Sequence, residues 1–350
     1  MRGLVAAALL ALTCGSMASA ETLSPACKTA GPMAGKPVDQ QGYVEIGGLK
    51  QWVVVEGQAC ANPVVLIVHG GPGNPNTPFA HSLFGDWAKA FTVVQWDQRG
   101  AGKTYEANPP AEDEALTMQR LTADGVEMAR WAQARFGKRQ VILMGGSWGS
   151  ALATNMAMAA PELFSAYVGT GQLVDYQANL KIGYARATEL ATAAGDADSL
   201  DKLKALGPPP WTNPRAFGIL RRITRKYEAL KTDPPPQGWF KFAPGYDTPA
   251  YEKAYEAGED YSFFQFVGAK GDGIGPGIDL RKLGLRFAMP VYLIQGEEDL
   301  VTPPEVSKAY FDAITAPKKQ YLPLPRVGHD PNRAMLEAQY RVLETVKSGR

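Results

Sequence analysis

The stretch Val141-Ile142-Leu143-Met144-Gly145-Gly146-Ser147-Trp148-Gly149-Ser150-Ala151-Leu152, VILMGGSWGSAL, decides how the rest of the chain is read. Four apolar residues run into Gly-Gly-Ser-Trp-Gly, and an Ala/Met-rich helical pattern follows through Ala160. Apolar run, glycine-rich turn and helical period predict strand, sharp turn and helix, with G-x-S-x-G at the turn. In such a nucleophile elbow, side chains two residues either side of the serine would collide, so glycine is required there. The serine is left in a strained backbone conformation with its hydroxyl clear of the sheet. The pattern alone is common, and its meaning rests on the surrounding sequence.

A serine nucleophile needs a base, an acid to orient that base, and donors for the oxyanion. The chain has three histidines, His69, His81 and His329, and only His329 follows the serine. It lies in LPRVGHDPNRAM, a loop after the last predicted strand, where Asp330-Pro331 reads as an N-cap and first helical residue. The acid is expected at a strand end between Ser147 and His329. The segment VYLIQGEEDLVTPPE supplies Asp299, with Glu297 and Glu298 as the alternatives, and Thr302 to Glu305 reads as a capping-box helix start. The chain order Ser–Asp–His is the one used by α/β-hydrolases. The loop His69-Gly70-Gly71-Pro72-Gly73 follows the apolar run VVLIV. It assigns one oxyanion donor to the Gly71 N–H and the second to the N–H of Trp148, leaving His69 a structural role.

The same alternation extends along the chain. Cys27 to Gly42 reads as an extended arm, and GYVEIGGLKQWVVVEG as a hairpin with strands Gly42–Ile46 and Gln51–Glu56 around Gly47-Gly48. NPVVLIVHGG, FTVVQWDQRG and RQVILMGG are apolar runs suited to strands buried on both faces. A helix from Leu121 to Phe136, with Thr122 as N-cap, separates the last two. SAYVGTG, MPVYLIQG and KKQYLPL complete an eight-stranded, mostly parallel α/β sheet of the α/β-hydrolase type. Residues 173–287 break the alternation with helical periods separated by proline-rich loops; nine of the chain's 27 prolines lie between Pro208 and Pro249. This segment reads as a helical cap inserted between two parts of the core, 21–172 and 288–350.

Bulk properties remove other classes. A net charge of +1 over 350 residues gives no basic face for nucleic acid. No metal or cofactor motif is present: the histidines are scattered, and DQRGAGKT carries Asp97 where a phosphate loop needs its first glycine. Asp97 and Arg99 are instead expected to brace the turn after their strand. Arg2, the apolar stretch Leu4–Leu12 and Ala18-Ser19-Ala20 read as a secretory signal cleaved after Ala20, giving a periplasmic or secreted protein. Thr13 is a poor residue to precede a lipidated Cys14, and no mature run is long enough for stable membrane insertion. Export leaves Cys27 and Cys60 as an even pair, expected to form a structural disulfide.

HGGPG at 69–73, WDQRGAGKT at 96–104 and GGSWGS at 145–150 together resemble the proline iminopeptidase (prolyl aminopeptidase) group of α/β-hydrolases, peptidase family S33. The resemblance implies a triad of Ser147, Asp299 and His329 beneath a helical cap, no cofactor, and release of an N-terminal residue from short peptides. That group carries amine-gripping glutamates in its cap, one within W-x-x-W-E. This chain has no such stretch; Trp211 and Trp239 are isolated, and Glu228, Glu252, Glu256 and Glu259 are candidates by residue type. Two further readings stay open. One is a carboxylesterase with the same machinery and an apolar cap pocket; the other is a binding protein on a hydrolase fold without catalysis. A buried cap carboxylate near Ser147 favours the peptidase; an apolar pocket without one favours the esterase.

Overall fold

The structure is a computed structural model that describes residues 35–111, 115–137 and 140–349. The expected signal segment and Cys27 lie outside these residues, while Cys60 is buried in the core.

In chain order the core elements are β1 (Val38–Ile46), β2 (Leu49–Gly57), β3 (Val64–Val68), α1 (Ala80–Phe84), β4 (Thr92–Trp96), α2 (Gly102–Ala107), α3 (Met118–Phe136), β5 (Val141–Gly146), α4 (Trp148–Ala159) and β6 (Phe164–Thr170). Next come α5 (Tyr176–Ala193), α6 (Ala197–Leu206), α7 (Arg215–Ala229) and α8 (Pro249–Val267). The chain then returns to the core with β7 (Val291–Gly296), α9 (Pro304–Ala313), β8 (Lys319–Leu324) and α10 (Arg333–Lys347).

The strands form one eight-stranded sheet in the order β1-β2-β4-β3-β5-β6-β7-β8. β1 and β2 pair antiparallel, as do β2 and β4, and every other pair is parallel. Every residue of β3, β4 and β7 is buried, which accounts for their largely apolar sequences. One core cluster joins Val64, Leu66, Leu143 and Ala151 with Phe136 of α3; a second, on the other face, joins Val65, Ile67 and Ile142 with Val342 and Leu343 of α10. All parallel strands end on the same edge, so the loops after β3, β5, β7 and β8 converge there.

Three of the boundaries that differ from the sequence reading have a clear physical cause. β1 begins at Val38, inside the expected arm, because Val38 to Gln41 pair with Gly57 to Val54. α3 starts at Met118 with Thr117 as its N-cap, and the Thr122 hydroxyl donates to the Met118 carbonyl instead. α10 is capped by Asn332, whose side chain accepts from the Met335 N–H, rather than by Asp330, whose oxygens are engaged elsewhere.

Candidate active site

Ser147 sits between β5 and α4 with φ 52° and ψ −124°. A positive φ at a residue with a side chain is strained, and the surroundings hold it. The Ser147 N–H donates to the Thr170 carbonyl at 3.0 Å, and the Ser150 hydroxyl donates to the Ser147 carbonyl at 2.6 Å. Ser150 also accepts from the Leu173 N–H at 2.9 Å, tying the elbow to the chain leaving β6. The flanking glycines are sterically obligatory. A Cβ on Gly149 would lie 2.1 Å from the Val68 carbonyl oxygen, and one on Gly145 would lie 2.3 Å from that of Gly149.

His329, in the loop between β8 and α10, sets Nε2 2.9 Å from Ser147 Oγ. Its Nδ1 lies 3.1 and 3.0 Å from the two carboxylate oxygens of Asp299, in the loop after β7. With Nδ1–H donating to Asp299, Nε2 presents a lone pair to the serine hydroxyl. Asp299 is buried and accepts from the Val301 and Thr302 N–H groups, both at 2.8 Å, and from the Thr302 hydroxyl at 2.6 Å. Burial pushes its pKa up, but His329 and the Thr302 donors outweigh burial and hold it below the usual carboxylate value. Burial opposes charge on His329 as well; there the Asp299 charge and hydrogen bond prevail and raise its pKa.

Glu297 and Glu298 take no part in this chain of contacts. Glu297 is exposed, and Glu298 lies 3.3 Å from the Lys231 ammonium. Thr302, expected to cap α9, donates its hydroxyl to Asp299, and α9 begins at Pro304 without a side-chain cap. Gly171, with φ +51°, leaves room for the relay: a Cβ there would lie 3.3 Å from an Asp299 oxygen.

The expected oxyanion donors lie on the adjoining loops. Trp148 is the first residue of α4, so its N–H belongs to the unpaired first turn, and Gly71, with φ +108°, lines the same cavity as Ser147. His69 is buried, its Nδ1 2.9 Å from the Gly70 carbonyl and its Nε2 accepting from the Gln98 N–H at 3.1 Å. Burial lowers its pKa to about 4. Gln98, unremarked in the sequence, joins both loops: its amide donates to the His69 carbonyl at 2.9 Å and accepts from the Trp148 indole at 3.0 Å. Asp97 and Arg99 brace their turn. Asp97 accepts from the Thr77 hydroxyl and the Lys103 N–H, while Arg99 pairs with buried Asp124.

A cavity of about 640 Å³ opens on Ser147 and His329. Phe79, Leu83, Phe84, Met144, Met335 and Leu336 make one wall apolar; Arg221 and Arg225 of α7 also line the cavity. The lining carboxylate, Asp330, is bridged by both arginines, at 2.7 Å to Arg221 and 2.9 Å to Arg225. Among the four candidate glutamates, Glu252 and Glu256 are exposed. Glu259 is half-buried and accepts from Asn74 at 3.0 Å. Glu228 is buried against the Asp299 loop, accepting from the Leu300 N–H at 2.8 Å. Neither Trp211 nor Trp239 lines the cavity. Among the described residues no cluster suited to a metal ion occurs, and no helix is long and apolar enough to cross a membrane.

Comparison with known proteins agrees with this architecture. Residues 63–332 match the family described as having the alpha/beta hydrolase fold. The probable aminopeptidase YbaC of Bacillus subtilis is 27% identical over 303 residues, covering 83% of this chain and 90% of its own. A proline iminopeptidase of Xylella fastidiosa is 31% identical over 177 residues, about half of either chain (50% and 52%). Among solved structures, a proline iminopeptidase of Mycobacterium smegmatis superposes with a TM-score of 0.62 at 17% identity, covering 89% of this chain and 99% of that one. A likeness at that identity speaks for the fold.

Proposed function

The chain belongs to the alpha/beta hydrolase fold family, and from that premise we propose that this serine hydrolase is an exported aminopeptidase. It would release N-terminal residues from short peptides through an acyl-enzyme on Ser147. The hydrolase chemistry is carried by the continuous hydrogen-bond chain from Ser147 Oγ through His329 to buried Asp299, and the choice of aminopeptidase by the likeness to a probable aminopeptidase over 83% of this chain. Ser147 Oγ attacks the scissile carbonyl carbon as its proton passes to His329 Nε2, and the carbonyl oxygen becomes an oxyanion facing the Gly71 and Trp148 N–H groups. The tetrahedral adduct collapses, breaking the C–N bond, and His329 hands its proton to the departing amine. Water then repeats the sequence: His329 takes a proton from water as the water oxygen adds to the acyl carbon. The C–O bond to Ser147 breaks as His329 returns that proton to Oγ, and the free acid leaves. Asp299 stays ionised, fixing the histidine tautomer and stabilising the imidazolium. Export rests on the N-terminal signal pattern, and with it the Cys27–Cys60 disulfide.

A second reading, carboxylesterase, has its own support. The cavity wall is apolar, and its one lining carboxylate is already bridged by two arginines. Turnover of a matched panel by the mature protein and by Ser147→Ala separates the two. The panel holds prolyl and alanyl arylamides with free and blocked N-termini, and short p-nitrophenyl esters. The aminopeptidase cleaves free-amine arylamides, loses them when the amine is blocked, and loses everything in S147A. Cleavage of esters alone overturns the peptidase assignment and leaves the esterase.

A further inference from the structure

Cap helix α7 touches both loops that carry the relay. Arg221 and Glu228 stand seven residues apart on it, two helical turns, and so share one face. One Glu228 oxygen accepts from the N–H of Leu300, the residue after Asp299, at 2.8 Å. The other accepts from Arg221 at 3.1 Å. Arg221 in turn donates to Asp330, the residue after His329, at 2.7 Å, and Arg225 adds a bond of 2.9 Å to the same carboxylate. Gly328, just before His329, packs so closely that a Cβ there would lie 3.4 Å from both Cβ and Cδ of Glu228. The acid loop and the base loop are thus joined through one helix of the insertion.

Burial and the nearby Asp299 charge both push the Glu228 pKa up, with Arg221 opposing. A buried ion pair of this kind is a poor source of net stability, because desolvation offsets the attraction. What it supplies is geometry. We propose that Glu228, with Arg221, is a positioning residue for the relay, setting the distance between the Asp299 loop and the His329 loop from the cap. The proposal rests on the serine hydrolase reading above.

The test compares the full mature chain with Glu228→Ala and Glu228→Gln. Two readouts need no free amine on the substrate: p-nitrophenyl acetate turnover and the rate of fluorophosphonate labelling of Ser147. In E228A both rates fall together, by roughly 10- to 100-fold, while KM for the ester changes less than about twofold, since a misplacement near 1 Å costs about that much. E228Q keeps an acceptor for the Leu300 N–H and recovers most of the loss. If labelling is undiminished while KM for free-amine peptides rises, Glu228 is a substrate contact and the proposal fails. If melting temperature falls while the folded fraction labels at the wild-type rate, it is a structural residue and the proposal fails. Should E228A not fold, the double variant Arg221→Met with Arg225→Met carries the test. It leaves Glu228 on Leu300 but removes both arginine links from α7 to Asp330, and unchanged labelling overturns the proposal. A wild-type protein that fails to label would instead sink the serine hydrolase reading itself, and is told apart by needing no variant.

Discussion

Gln98 gathers two loops with one side chain. Its amide nitrogen donates to the His69 carbonyl, its amide oxygen accepts from the Trp148 indole, and its own N–H reaches His69 Nε2. Those loops carry Gly71 and Trp148, so on the proposed mechanism Gln98 sets the separation of the two proposed oxyanion donors. Gln98→Leu keeps the volume and removes the bonds. Its kcat is expected to fall by about 10- to 100-fold with little change in KM, because the donors matter chiefly in the transition state. Steady-state kinetics on the panel above measure this, and an unchanged kcat refutes the role. The contrast with Ser147, Asp299 and His329 explains what the sequence discloses at this scale. The proposed nucleophile, acid and base are restricted to few residue types in a fixed chain order, so three positions among 350 stand out. Gln98 and Glu228 act through what they touch, and the Gln98–His69 and Glu228–Leu300 bonds span 29 and 72 residues of chain. Nothing in the local sequence marks those contacts.

At the scale of the element, the elbow depends on empty space. Gly149 packs against the carbonyls of Val68 and His69, at 2.1 and 2.5 Å from an added Cβ, and both are backbone atoms that cannot rotate away. Gly149→Ala is therefore expected to destabilise the fold by about 3 kcal/mol or more, the upper range for overpacking a rigid site. Gly277→Ala, where an added Cβ meets nothing within 4 Å, is the control and should stay within about 0.5 kcal/mol. Chemical unfolding of the two variants decides it; equal stability would mean that α4 and the end of β3 yield where they meet. The same competition for partners explains the misplaced helix starts. Thr302 and Asp330 both have cap-forming side chains, yet Asp299 takes the Thr302 hydroxyl while Arg221 and Arg225 take the Asp330 carboxylate. Local pattern gives the existence of α9 and α10 correctly. It misplaces their caps because tertiary partners outbid local ones. β1 was shortened for the converse reason: VDQQ has little apolar signal, and pairing with β2 makes it strand.

Over the whole molecule, two buried groups at the ends of β3 and β4 oppose each other in their effect on stability. His69 has its folded pKa lowered to about 4 from 6.5, by burial. Between those values the unfolded chain takes up a proton and the fold does not, so this group costs stability as pH falls from 6.5 towards 4. Asp97 has its folded pKa raised to about 7 from 3.8, again by burial, with the Thr77 and Lys103 bonds opposing. Here the fold holds a proton that the unfolded chain has lost, so the group costs stability as pH rises from 3.8 towards 7. Each slope is about 1.4 kcal/mol per pH unit, and over the shared window from about 4 to 6.5 the two cancel. Removing either exposes the other. Relative to wild type, His69→Gln should gain up to about 3 kcal/mol on acidification from pH 7 to 4, and Asp97→Asn should lose up to about 4 kcal/mol. Urea unfolding at half-unit pH steps gives the difference curves. Opposite slopes support a balanced pair at the strand ends beside the oxyanion loop; parallel curves would mean that neither group is held away from its ordinary pKa by the fold.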